Sequence, residues 1–399
     1  MIQRMKLGND VETYMPIFVK DNDRFKHVFQ CGKTGTGKSQ FLLNAWQNDS
    51  YTKVAKILID PSGFLAKDAY SVMKGKVHYC SLNTPIGLNP MIAPYKPYQI
   101  ADIIAETTNQ MVAMTTPNQK FTAKMREILD EEVVRCIGLG RTTLEEVKAN
   151  LEAQRGNAET RDGITARLSL LLKDPDFKEI VCGKSSFEIN RLIENQETFI
   201  LDCSGMGYDK KVFIGTLVTN LVKSYFIYAR PKEYKPLILV VDECHNFLNQ
   251  DFSLVLKEGR KYKISVVMAT TDFSSIPSSL IHTILSNVGT LVCLRAGYIE
   301  ASMIAHEFRS IAASDIQGLE KYHAAVKTPD TEAIVKLPRP LFIKPMEVKP
   351  TKIERRTFDL QWFDLPSYSF QFDYDQNGRV VGNGFQQEPE TPPNSTEGG

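Results

Sequence analysis

Eight residues constrain this chain more than any others: Gly32-Lys33-Thr34-Gly35-Thr36-Gly37-Lys38-Ser39. They fit the pattern G-x-x-x-x-G-K-[ST] and stand between a strand-like run, Phe25 to Cys31, and a helical run, Gln40 to Trp46. That context gives the pattern its meaning, because a strand, a glycine loop and a helix together point several backbone N–H groups and a helix N-terminus at one anion. In this reading the glycines let the main chain wrap a nucleotide's phosphates, Lys38 reaches the β- and γ-phosphates, and Ser39 coordinates Mg2+.

The loop demands a buried sheet behind it, and the chain supplies the strands. Val54 to Ile59, Thr198 to Leu201, Leu237 to Val241, Ile264 to Ala269 and Gly289 to Leu294 are continuous apolar runs ending in polar residues. Runs without alternation suit strands buried on both faces, and helical stretches such as Val212 to Tyr228 suit crossover connections. The expectation is an α/β fold with a mainly parallel sheet flanked by helices. Residues 97–190 read as helical throughout, with no strand-like run, and are expected to form an all-α insertion. Residues 1 to about 24 read as a polar lead-in. The expected nucleotide-binding domain therefore comprises 1–96 and 191–336, and 337–399 is a C-terminal extension whose last dozen residues are too polar to fold.

A second constellation completes the first. Leu237 to Val241 ends in Asp242 and Glu243. Asp242 would hold the magnesium ion and its waters, and Glu243 would polarise the attacking water, since NTP hydrolysis needs a base as well as a metal ligand. Cys244 and His245 follow; a Cys-His dipeptide is short of a zinc set, so packing and hydrogen bonding are expected of it. Arg260, in Gly259-Arg260-Lys261-Tyr262, suits a solvated basic turn and equally an arginine reaching a neighbouring subunit's γ-phosphate; at the level of these residues both readings stand.

Composition narrows the setting. Forty-eight Lys plus Arg against 47 Asp plus Glu give no global basic signal, so nucleic-acid binding would need a local concentration of charge. Lys210 and Lys211, which follow a glycine-rich turn, are candidates for it. The seven cysteines are scattered and include no C-x-x-C pair, which disfavours a disulfide scaffold and suits a reducing cytosol. Met1 to Asp10 does not read as a secretory signal, and no stretch approaches about 18 uninterrupted apolar residues, so no membrane span is expected.

The ordered set of the phosphate loop, Asp60-Pro61-Ser62-Gly63, Leu201-Asp202-Cys203-Ser204-Gly205, Asp242-Glu243, Gly259-Arg260-Lys261-Tyr262 and Ser286-Asn287-Val288-Gly289-Thr290 resembles the HerA/FtsK superfamily of DNA-pumping ATPases. It looks closest to the TraG-like and HerA-like ATPases of type IV secretion and conjugative DNA transfer, over approximately residues 20 to 330. The resemblance implies a RecA-like P-loop NTPase domain, ATP and Mg2+ at the interfaces of a ring, usually a hexamer, and DNA in the central channel. It carries Lys38 and Ser39 over as nucleotide and metal contacts, Asp242 as the magnesium residue, Glu243 as the catalytic base and Arg260 as the trans-acting finger. Where the family usually has a sensor glutamine this chain has Thr271, which can hydrogen-bond but reaches less far.

The function so implied is an ATP-hydrolysing DNA translocase serving conjugative or mobile-element transfer or DNA-end processing. Two other readings stand beside it: a type IV secretion ATPase acting on protein substrates, and a viral genome-packaging ATPase. A cytoplasmic location follows, peripheral at the inner membrane if the motor docks onto a membrane-anchored secretion component; a nuclease is the other partner considered.

Overall fold

The computed structural model describes residues 3–116, 118–154, 158–183, 187–248, 252–339, 341, 343–348, 371–374 and 380–384. The chain divides into two units, Met1–Glu354 and Arg355–Gly399. In the second, β12 (Gln371–Tyr374) and β13 (Val380–Gly384) pair antiparallel. The last dozen residues, expected to be disordered, lie outside the described residues.

The first unit begins with β1 (Met5–Asp10), β2 (Pro16–Val19), β3 (Val28–Cys31), α1 (Lys38–Asp49), β4 (Ala55–Asp60), α2 (Phe64–Val72) and β5 (Val77–Cys80). Helices then run without a strand among the described residues: α3 (Pro97–Thr115), α4 (Ala123–Gly138), α5 (Leu144–Ala153), α6 (Ala158–Leu172), α7 (Pro175–Cys182) and α8 (Ile189–Asn195). The sheet resumes with β6 (Thr198–Asp202), α9 (Tyr208–Ser224), β7 (Leu237–Val241), α10 (Ser253–Glu258), β8 (Ile264–Thr270), α11 (Ser278–Asn287) and β9 (Thr290–Leu294). It closes with α12 (Tyr298–Ala305), α13 (Ala313–Gly318), β10 (His323–Lys327) and β11 (Glu332–Lys336).

One 11-stranded sheet results, in the order β2-β1-β11-β10-β9-β3-β8-β7-β4-β6-β5. From β9 to β5 all neighbours are parallel, and from β9 through β10, β11 and β1 to β2 they are antiparallel. The fully buried runs of β4, β6, β7, β8 and β9 are the strands expected from apolar sequence, and β3 lies in the strand-like run Phe25 to Cys31. Ile57 and Ile59 face one hydrophobic cluster, shared with α3 to α9, while Leu58 between them faces the other, shared with α1 and α2. Helix α9 with its continuation, Tyr208–Ala229, is long and apolar enough to cross a membrane, but 83% of its apolar window is buried in this core.

The lead-in departs from expectation. Residues 5–19 form a hairpin on the antiparallel flank, with Met5 and Leu7 fully buried and Lys6 exposed between them. That two-residue alternation is too short, among charged neighbours, to stand out as a strand. A bidentate ion pair fastens the following 3-10 turn, Asp21–Lys26, to α1: Arg24 Nη1 and Nη2 each lie 2.7 Å from an Asp49 oxygen, both side chains being buried.

Candidate nucleotide site

Parallel register brings the motif residues together. Cys31 pairs with Thr270 across β3 and β8, and Val241 with Met268 across β7 and β8. The residues that follow these strands, the phosphate loop, Asp242 with Glu243, and Thr271, therefore share one crevice at the carboxyl ends, where open α/β sheets bind ligands.

The loop itself is shaped for anions. Gly35 and Gly37 adopt φ of 80° and 120°; a Cβ on Gly37 would sit 2.8 Å from Tyr322 Cδ1, so only glycine lets the loop lie this close to the last strands. Thr36 Oγ1 donates to the Lys33 carbonyl at 2.7 Å, and the Lys33 N–H donates to the Arg295 carbonyl at 2.9 Å. Helix α1 opens at Lys38 with Gly37 as a cap that offers no side-chain acceptor. The N–H groups of its first turn thus stay available to a phosphate. Lys33, Thr34, Gly35 and Ser39 are exposed around them.

Lys38 is buried, and its ammonium lies 2.9 Å from Glu243 Oε1 and 3.8 Å from Asp242 Oδ1. Glu243 Oε2 accepts from the Thr271 N–H at 2.9 Å and the Thr271 hydroxyl at 2.8 Å. Glu243 reaches both because its backbone is left-handed, φ 44°, in a turn held by the Asn246 side chain donating to the Glu243 carbonyl at 3.0 Å. Such a conformation in a non-glycine residue costs about 1–3 kcal/mol and persists where surrounding bonds impose it.

The two carboxyls diverge in acidity. Burial pushes Asp242 up to about 6, opposed by Lys38 and reinforced by Glu243. Burial also pushes Glu243 up, but the Lys38 ammonium and the Thr271 donors outweigh it, leaving Glu243 below its ordinary value. A buried carboxyl short of compensating charge suits a divalent cation, and the available N–H groups of the first turn of α1 beside a buried lysine suit phosphates. The residues present therefore fit Mg2+ held by Asp242 and Ser39, and ATP held by residues 32–39.

His245 hydrogen-bonds at the edge of the site, as expected of the Cys-His pair. Its Nδ1 lies 3.0 Å from Thr270 Oγ1 and 3.6 Å from Glu243 Oε2, and its Nε2 lies 3.2 Å from Asn246 Nδ2. The only sequence signal was adjacency to Asp242-Glu243. Cys244 is buried and its thiol is pushed far up by that burial. Asp60 and Asp202 are buried too; Asp60 accepts from the Ser62 and Ala66 N–H groups, and Asp202 from the Ser204 N–H and the Tyr79 hydroxyl. These aspartates shape turns. Beyond Glu243 a cavity of about 290 Å³ is lined by Pro61, Ser62, Tyr208, Lys211, Glu243 and Asn246.

The remaining basic candidates lie outside the phosphate loop. Arg260 is exposed in the 3-10 turn Gly259–Tyr262, ahead of the amino end of β8. The phosphate loop lies at the other end of that strand, roughly 20 Å away at about 3.3 Å per residue, so Arg260 does not reach its own site. Lys210 and Lys211 are engaged within the chain rather than free for a channel: Lys210 pairs with Asp174 at 2.7 Å, and Lys211 donates to the Pro61 carbonyl at 2.8 Å.

No protein-family model and no curated protein matches the chain. Solved structures do. Plasmid coupling protein TrwB in complex with ADP and Mg2+ aligns with a TM-score of 0.67 at 16% identity, covering 86% of this chain and 91% of that one. The unbound bacterial conjugative coupling protein TrwB gives 0.66 at 15% identity, with 87% and 92% covered. VirB4 of Thermoanaerobacter pseudethanolicus gives 0.65 at 13% identity, with 84% and 96% covered. This chain has the fold of TrwB and VirB4, the RecA-like α/β architecture implied by its resemblance to the HerA/FtsK superfamily of P-loop ATPases.

Proposed function

We propose that this chain is an ATP-hydrolysing motor of the HerA/FtsK type that moves DNA in conjugative or mobile-element transfer, working as a ring, hexameric in the expected form. The convergence of Lys38, Asp242, Glu243 and Thr271 at the mouth of the phosphate loop carries the reading. Bound Mg2+ and ATP would supply the phosphoryl group and the charge that competes for Lys38. Once Lys38 turns to phosphate, Glu243 Oε1 is freed to accept a proton from water, while Thr271 keeps Oε2 oriented. Arg260, out of reach of its own loop and without a side-chain partner among the described residues, suits delivery to the site of an adjacent subunit. The fold shared with a conjugative coupling protein supports DNA as the polymer moved, and free cysteines suit a cytoplasmic location, with docking onto a membrane-anchored partner.

The test is ATP hydrolysis with and without single- and double-stranded DNA, alongside the mass of the assembly, using Lys38→Ala as the blank. DNA-stimulated turnover by a ring supports the proposal. Turnover indifferent to both DNAs transfers it to a protein substrate, and no turnover above the blank removes it.

A further inference from the structure

The turn that presents Arg260 is anchored on both sides, and the anchor on its inner side is a buried histidine that the site does not use. His27 is 1% exposed and sits immediately before β3, the strand that leads into the phosphate loop. The Val266 N–H donates to His27 Nδ1 at 3.1 Å, so Nδ1 is unprotonated and Nε2 carries the hydrogen donated to the Leu256 carbonyl at 3.1 Å. Leu256 lies in α10 and Val266 in β8, so one ring bonds the chain before and after Arg260.

The packing is equally close. A Cβ on Gly259 would lie 3.0 Å from His27 Cε1, so the residue preceding Arg260 rests against the imidazole. On the outer side Tyr262 packs against Phe226 and Tyr234, with ring centroids 5.6 and 5.0 Å apart. Between these anchors Arg260 and Lys261 are left exposed. His27 holds a strained backbone, φ 61° with ψ 164°, a region otherwise kept for glycine, and its ring fills this gap. Burial lowers its basicity to about 4, so the neutral ring that can both accept and donate is the form present at physiological pH.

Resting on the reading of Arg260 as the finger of the adjacent subunit, we infer that His27 is a positioning residue for that finger, tying its turn to the strand that carries the same subunit's phosphate loop. A misplacement of about 1 Å at a catalytic group can lower a rate on the order of 100-fold, so the tie acts on turnover rather than on nucleotide affinity.

Mixed rings test this. His27→Ala should bind a fluorescent ATP analogue within about threefold of the parent yet hydrolyse ATP on the order of 100-fold more slowly. Its own phosphate loop is intact, so mixing with Lys38→Ala, which brings a correctly held Arg260, should restore part of the activity. Mixing with Arg260→Ala should restore none, because neither subunit then brings a working finger. Unchanged hydrolysis by His27→Ala, or restoration by Arg260→Ala instead of Lys38→Ala, overturns the inference. Arg260→Ala mixed with Lys38→Ala is the control: if those mixed rings form and stay inactive, the finger reading itself fails and takes the inference with it. If His27→Ala does not fold, His27→Asn serves, since asparagine keeps an acceptor for Val266 but does not span to Leu256. It should show the same mixing pattern with a smaller defect, and parental turnover by it would overturn the inference.

Discussion

Lys38 Nζ and Glu243 Oε1 are 2.9 Å apart, so the lysine proposed to meet phosphate and the carboxylate proposed to take the proton neutralise each other in the nucleotide-free protein. In the proposed mechanism nucleotide binding breaks this pair. Glu243→Gln should therefore bind ATP more tightly than the parent, by up to about tenfold, which corresponds to about 1.4 kcal/mol for a partly buried ion pair. Lys38→Ala should bind no ATP measurably. Titration of a fluorescent ATP analogue decides it, and weaker binding by Glu243→Gln would mean that the pair does not oppose the nucleotide.

Thr271 gives Glu243 Oε2 two donors, of which only the hydroxyl can be removed by substitution. Thr271→Val should leave ATP affinity unchanged and lower kcat by roughly tenfold, the scale of one lost hydrogen bond to a charged group, whereas Thr271→Ser should retain most of the rate. Steady-state kinetics of both variants separate the hydroxyl from the bulk of the side chain. An equal loss in Thr271→Ser would assign the effect to packing.

Asp242 has a folded-state value of about 6 against an ordinary 3.8, with burial as the main cause. A group raised in this way contributes stability that is present below its unfolded value and lost as pH rises through the folded one. Above pH 6 the ionised carboxylate therefore burdens the nucleotide-free protein. Asp242→Asn should be more stable than the parent by about 1–3 kcal/mol at pH 7.5, with the difference shrinking as pH falls towards 4. Melting temperatures across that range, without metal or nucleotide, check the trend; a difference independent of pH would point to packing instead.

Gly37 combines φ of 120° with a neighbour 2.8 Å from its missing Cβ. Gly37→Ala should push the loop away from Tyr322 and weaken ATP binding at least about tenfold while the sheet stays folded, since the strain falls on a turn and not on a strand. Circular dichroism together with the same titration measures both.

The convergence of Lys38, Asp242 and Glu243 was more legible in the sequence than the whole sheet behind it. These residues stand out because phosphate and metal chemistry asks for particular residue types next to buried strands, and the strands behind them are apolar runs such as Leu237 to Val241. Short strands broken by polar residues gave no comparable signal: β5 is Val-His-Tyr-Cys, and β10 and β11 each end in lysine. The hairpin of residues 5–19 escaped for the same reason, its buried Met5 and Leu7 being separated by one lysine. His245 and His27 were hidden because their roles depend on partners far along the chain, Thr270 in one case and Leu256 with Val266 in the other. Lys210 and Lys211 looked available for a polymer because their partners, Asp174 and the Pro61 carbonyl, are 36 and 150 residues away in sequence.

The most direct measurement of the central claim, that Lys38 and Glu243 divide binding from turnover in an ATPase, is the fate of ATP already bound. Parent and Glu243→Gln proteins are loaded with γ-labelled ATP and Mg2+ under single-turnover conditions, and bound ATP and released phosphate are followed in time. The parent should convert its bound ATP, and Glu243→Gln should retain it intact, with conversion at least about 100 times slower, the lower range of what a general base contributes. Conversion by Glu243→Gln at the parental rate would contradict it.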